Sequence, residues 1–357
     1  MHYKPDFEST KPYFEAFWQH ELIDRPPVHL TCFKEGAAPA APLFSSVECY
    51  EACMSGDITA YADNFEQYAD AVDYLAEAIP YMMASIGPDV FAAFFGAPLK
   101  AVKGHITTWA EPIVDDFETF QPVLDTSPDS TFGRVQTMLK ALQQRAEGKY
   151  LIGIQDLHSN MDALSALRGP QDLCIDLYDC PEEIHRVHQV IRDAYPQIYE
   201  MSYQTANGSA LGCIGWAPTY CQGKFAVIQC DFSALISPDF VREFAIPALR
   251  EEAAYLDHCV YHYDGKDALG HLDDILAIED IDCIQWVPGD GQPPSFEWMD
   301  LLKKIQSAGK SLWIYDWSPA HIRQYYKELN PALVFFHTST PSRAEGESLL
   351  KWMKENT

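Results

Sequence analysis

The sequence predicts an α/β fold, a (β/α)8 TIM barrel with an N-terminal helical elaboration. Three observations predict it. Short, nearly continuous apolar runs alternate with long amphipathic stretches, as expected of parallel strands covered on both faces. The alternation recurs from residue 149 onward. No glycine-rich phosphate loop follows any of the runs, which removes the dinucleotide fold and the P-loop and favours the closed barrel. A chain of 357 residues suits one such domain over 1–357.

The elements follow in order. "PVHLTCF" (27–33) reads as the first strand, entered through Arg25-Pro26-Pro27. Residues 34–148 read as the N-terminal elaboration plus one early barrel unit. They hold a loop, "KEGAAPAAPLF" (34–44), and helix-like stretches such as "NFEQYADAVDYLAEAIPYMM" (64–83). Later strands are expected in "KYLIGIQD" (149–156), "ALGCIGWA" (210–217), "HCVYHYD" (258–264), "IDCIQWVP" (281–288), "SLWIYDW" (311–317) and "ALVFFHT" (332–338). Between them lie helix patterns. "SPDFVREFAIPALREEAAYLD" opens with Ser237 as N-cap, Pro238 at the first helical position and Asp239 in the first turn. "CPEEIHRVHQVIRDAYPQIYEMSY" and "SFEWMDLLKKIQSAGK" read the same way, the second stopping at Gly309.

Composition narrows the function. The formal charge of -27 argues against nucleic acid, whose phosphates need a basic footprint, and against anionic membrane surfaces. No run of about 20 apolar residues suggests a spanning helix. The opening segment lacks the basic-then-apolar pattern of a signal peptide, so the cytoplasm is the expected location. The ten cysteines sit mostly in apolar runs and include no Cys-x-x-Cys pair, so they read as free core residues and a zinc ribbon is excluded.

A barrel carries its chemistry at the C-terminal ends of its strands. Those ends hold Asp156 and His158, Trp216, His262 and Asp264, Gln285 and Trp286, Asp316, and His337. Burying such groups unpaired is costly, so their convergence from several strands points to a site. His262 and Asp264 stand two apart on one strand and share a face. A neutral imidazole and a carboxylate placed so can share a divalent metal with a third ligand, Cys230 or His337. They can equally work without metal, the carboxylate orienting the imidazole as an acid-base couple. Asp231 and Asp156 suit either scheme. Trp109 and Trp216, with Tyr220 in "WAPTY", suggest an aromatic wall for a small-molecule substrate.

The stretches "QCDFSALISPDFVREFAIPALREEAAYLDH" and "YHYDGKDALGHLDDILAIEDIDCIQWVPGDGQPP" resemble the uroporphyrinogen decarboxylase-like superfamily. "IQDLHSNMDALSALRGPQDLCIDLYDCPE" and the ending "TSTPSRAEGESLLKWMKE" fit the same group. The resemblance implies a (β/α)8 barrel and two branches of chemistry. The decarboxylase branch grips its many carboxylates with an arginine-rich loop. Here only Arg25 stands in the matching region, a poor clamp in so acidic a chain. The cobalamin-linked methyltransferase branch holds zinc through a His-x-Cys pair and a distant Cys. His262 falls on that His, Asp264 stands where the Cys would be, and Thr338 or Ser339 lies near the distant Cys. The expected activity is methyl transfer between a small methylated substrate and a separate corrinoid protein, with zinc on His262, Asp264 and Cys230 or His337. His158 and Asp156 would move protons, and Gln285, Trp286 and Asp231 would bind substrate. No Asp-x-His-x-x-Gly occurs, so cobalamin arrives only through that partner. The alternatives are a lyase, hydrolase or decarboxylase acting on a small polar metabolite through a His/Asp site, and a ligand-binding barrel without chemistry. A homodimer is the expected assembly.

Overall fold

The computed structural model describes residues 1–37 and 45–357. Its strands are β1 (Val28–Phe33), β2 (Val72–Ala76), β3 (Tyr81–Met83), β4 (Leu99–Lys100), β5 (Trp109–Ala110), β6 (Leu151–Gly153), β7 (Cys213–Ile214), β8 (Tyr220–Cys221), β9 (Phe225–Ile228), β10 (His258–Asp264), β11 (Cys283–Val287), β12 (Ser311–Ile314) and β13 (Val334–Ser339). Seven of them form one sheet in the order β2-β1-β13-β12-β11-β10-β9. Every pairing in it is parallel except that of β2, which runs antiparallel to β1. A second parallel pair, β3 and β6, stands apart from that ladder. The fold is therefore mixed α/β with a mostly parallel central sheet. The hydrogen-bond ladder does not run full circle among the described residues, because β2 occupies the free edge of β1.

Register sorts the side chains of the sheet into two faces. His29 pairs with His337, Cys283 with Ser311, Trp313 with Phe335, and His262 with Gln285. Since alternate residues share a face, His29, His262, Asp264, Gln285, Trp313 and His337 all project to one side. The other face is the helix side. There Tyr263 packs on Trp286, and Trp286 on Trp298 of the helical segment that follows.

The central strands β1 and β10 to β13 lie where the apolar runs predict them. Elsewhere the structure differs. The stretch 64–83 is not one helix. A helix, Thr59–Ala71, gives way directly to β2, and Ala76 turns the chain at φ +48° toward β3. No Gly or Pro marks the helix-to-strand change; it is set by the unpaired edge of β1 and by Glu77, which binds Arg25 (2.6 and 2.9 Å) and the Val28 amide (2.9 Å). The run 210–217 supplies no strand to the main sheet. Gly208–Leu211 is a helical turn, and β7 and β8 form an antiparallel hairpin. Gly212, at φ +80°, makes this possible, since a Cβ there would lie 2.2 Å from the Tyr220 hydroxyl. The sheet takes β9 instead. Of the loop expected over 34–44, residues 38–44 lie outside the described residues. Ser237 caps its helix as expected, accepting from the Phe240 amide, and a wider π-type turn at Val241–Ala245 precedes Pro247. Among the described residues, no helix is long and apolar enough to cross a membrane.

Candidate active site

Past β6 the chain runs through Asp156 and His158 into a helix, Asn160–Arg168. The entry to that helix is unusual. Ser159 does not cap it with its side chain but donates to Glu252 (2.6 Å). Asn160 sits at φ +47°, a region that short polar side chains tolerate better than most. Its Nδ2 donates to the Gln229 carbonyl (2.9 Å) and to Glu252 (3.2 Å). Asp162, in the first turn, accepts from the backbone amides of Asp231 (3.0 Å) and Phe232 (2.8 Å). These bonds tie the loop after β6 to the loop after β9, and His158 is held between them.

The His158 imidazole meets three carboxylates. Nε2 lies 3.4 Å from Asp156, and Nδ1 lies 3.9 Å from both Asp162 and Asp231. Burial works to lower its pKa. Asp156, then Asp162 and Asp231, overcome that and raise it to about 10, so the ring is an imidazolium at neutral pH. Burial and the Asp231 charge push the Asp162 carboxyl up to about 7, against the pull of His158 and the two amides. Burial pushes Glu252 up to about 8, although Ser159 and Asn160 both donate to it.

His262 belongs to the neighbouring strand. Gln285 Oε1 accepts from its Nδ1 (2.6 Å), which leaves Nε2 as the ring's other polar atom. Trp216 stands edge-on to the imidazole, centroids 5.2 Å apart, and is held there by Tyr81, whose hydroxyl donates to the Trp216 carbonyl (3.1 Å). Asp264 links the two groups. Burial raises its pKa, His262 lowers it and Asp231 raises it, so its carboxylate feels both clusters. Gln229 completes the contact, its Nε2 3.5 Å from Asp156.

Other expected residues fall elsewhere. Cys230 follows β9, where the register pairs Ile228 with Tyr261, on the helix side and opposite His262. Burial, Asp162 and Asp231 drive its thiol well above the usual range, which disfavours the thiolate a metal needs. His337 shares the face of His262, but Trp313 stacks against it (6.3 Å), and Trp216 lies between Trp313 and His262. Among the described residues, no group of three metal-capable side chains includes His262 and Asp264 with either expected third ligand, Cys230 or His337. Trp286 points to the helix side. Tyr220 is buried against Phe7 and Phe14 with its hydroxyl donating to Leu211. Trp109 lies on the exposed β4–β5 hairpin beside His105. Asp316 accepts from the Ser295 amide and hydroxyl (2.9 and 2.6 Å). The one expected cation in the first strand's entry, Arg25, is engaged by Glu77.

Sequence reasoning missed Asp162, Gln229, Glu252 and His29. Asp162 had a usable signal, since it stands four residues after His158 at a helix start. The others had none that a single sequence carries.

No family model matches the chain, and no curated protein matches it. Among solved structures it is similar to a methyltransferase from Methanosarcina mazei, with a TM-score of 0.60 over 97% of this chain and 98% of that one, at 12% sequence identity. At that identity the likeness is one of fold.

Proposed function

We propose that the chain is a methyltransferase on a closed (β/α)8 barrel, acting in the cytoplasm and moving a methyl group from a small methylated substrate to a separate corrinoid protein. One observation carries the reading: a partly buried imidazolium, His158, ringed by carboxylates at the strand ends of a fold like that of a methyltransferase. Strands β1, β3, β6 and β9 to β13 supply eight in chain order, which supports the barrel.

Removing a methyl group as a cation equivalent from nitrogen or oxygen breaks the C–X bond and leaves its electron pair on X. A positive charge or a proton at that atom stabilises the change. His158 supplies it: the imidazolium proton passes to X as the bond breaks, and Asp156, Asp162 and Asp231 hold the ring in place. Gln285 fixes the His262 ring, which with Trp216 positions the rest of the substrate. The corrinoid, when its protein docks, supplies the methyl-accepting centre. No step runs through zinc at His262.

A second reading has one observation in its favour. Two buried acids near neutrality, Asp162 and Glu252, also suit a lyase or decarboxylase working on a small polar metabolite.

The test is methylcobalamin formation from reduced cobalamin and a panel of methylated amines and ethers, followed by absorbance. Turnover with at least one donor, reduced roughly 100-fold or more in His158→Asn, is expected. No methyl transfer from any donor would overturn the reading and leave the acid-base alternative.

A further inference from the structure

We infer that His158, Asp162 and Asp231 form a binding site for a divalent metal cation, with Asp156 behind the imidazole. The resemblance to zinc methyltransferases puts a metal on His262. The geometry puts it one strand system away.

Four observations carry this. His158 Nδ1 and one oxygen from each of Asp162 and Asp231 lie within 4.8 Å of one another. Both Nδ1-to-oxygen distances are 3.9 Å. Donors about 2.1 Å from a shared ion sit roughly 3 to 4 Å apart, so little movement is needed. Second, the other ring nitrogen faces Asp156 at 3.4 Å. A metal-bound histidine is commonly oriented in this way, by a carboxylate on its far nitrogen. Third, Gln229 is 1% exposed, its Nε2 reaches Asp156, and among the described residues its Oε1 has no hydrogen-bond partner. A buried amide oxygen left unpaired on a side chain that reaches the cluster's Asp156 is a costly arrangement, as expected where a polar ligand is missing. Fourth, two backbone amides already hold both Asp162 oxygens, and the cluster opens on a cavity of about 400 Å³ that also reaches Asp89 and Leu235.

The donor set selects the ion. One imidazole and two carboxylates favour a first-row cation such as Zn2+ or Mn2+ over Mg2+, which prefers oxygen alone. Three protein donors leave coordination positions open to the cavity. A loaded site would present its positive charge to a substrate atom through the metal in place of the imidazolium. The inference shares its residues with the methyl-transfer reading and rests on it only for that chemistry, because binding is read without turnover.

The experiment is calorimetric titration of chelator-treated full-length protein with ZnCl2 and MnCl2. One cation per chain is expected for the wild type. Asp231→Asn, at a partly exposed position, should weaken binding at least about 30-fold, and Asp156→Asn roughly 10-fold or more. His262→Ala should change it less than about 3-fold. Melting curves of each variant establish that it is folded. No saturable binding to wild type, or a loss in His262→Ala as large as in Asp231→Asn, would overturn the site. Binding without methyl transfer from any donor would sink the methyltransferase reading and keep the metal. Methyl transfer by chelator-treated protein that binds no cation would sink the metal and keep the acid.

Discussion

His158 follows β6, outside the seven-stranded sheet, and His337 stands on β13 within it, and the two differ in charge. Both are partly buried, and burial alone pushes any imidazole toward its neutral form. Around His158, the carboxylates of Asp156, Asp162 and Asp231 reverse that push and lift its pKa to about 10. Among the described residues no charge does so for His337, and burial takes it down to about 4. Its neighbour His29, edge-on at 4.5 Å, is pushed well below the ordinary value by burial and by His337. The cavity these two share, about 400 Å³, is lined by Tyr68, Tyr81, Ser85 and other uncharged residues. The same side chain on the same scaffold thus becomes an acid in one region and a neutral wall in the other. Neighbouring charge makes the difference, since burial is common to both.

The strongest way to break this contrast is to remove the cation. His158→Ala leaves three carboxylates facing one another and should cost about 3 kcal/mol in urea unfolding at neutral pH. His158 binds its proton more tightly in the folded chain, up to about 10 against 6.5 unfolded. Its contribution is therefore complete below pH 6.5 and fades as pH rises through 10. A variant as stable as wild type at pH 6 would mean that the imidazolium is not held by its neighbours.

Glu252 sharpens the comparison from the acid side. Its folded pKa, about 8, lies above the 4.5 of an ordinary carboxyl, so unfolding releases a proton between those values and stability falls as pH rises across them. Glu252→Gln removes that cost. The variant should match wild type near pH 4.5 and exceed it by roughly 4 to 5 kcal/mol above pH 8, measured by denaturation at both. Equal pH slopes would show that Glu252 is ionised in the fold.

The titrations can also be read directly. Imidazole NMR signals should show His158 still protonated at pH 8.5 and His337 still neutral at pH 6. Coincident titrations would erase the contrast. The smallest effect belongs to the neutral wall. His337→Phe trades one flat ring for another and should change stability by less than about 1.5 kcal/mol. A larger loss would mean that His337 holds a polar partner.

The sequence made some of this legible and hid the rest for physical reasons. β10 to β13 were readable because fully buried parallel strands are continuous apolar runs. β2 was not, because its pairing depends on an edge far away in the chain. His262 and Gln285 meet because their strands are adjacent in the sheet, whereas the contact of Trp216 with His262 comes from a hairpin where the sequence suggested a sheet strand. Cys230 could not be assigned a side without the register of β9 on β10. Glu252 sits in "REEAAYLD", where a single sequence shows only a charged helix. Its burial depends on Ser159 and Asn160, about ninety residues away.

Trp216 has a use of another kind. Of the chain's eight tryptophans, it is the one in ring contact with His262. Indole emission responds to nearby charge and to displacement of water. A chain keeping Trp216 and carrying phenylalanine at the other tryptophan positions would therefore report optically on what enters the site. It could then be screened against unlabelled compounds before any turnover assay exists.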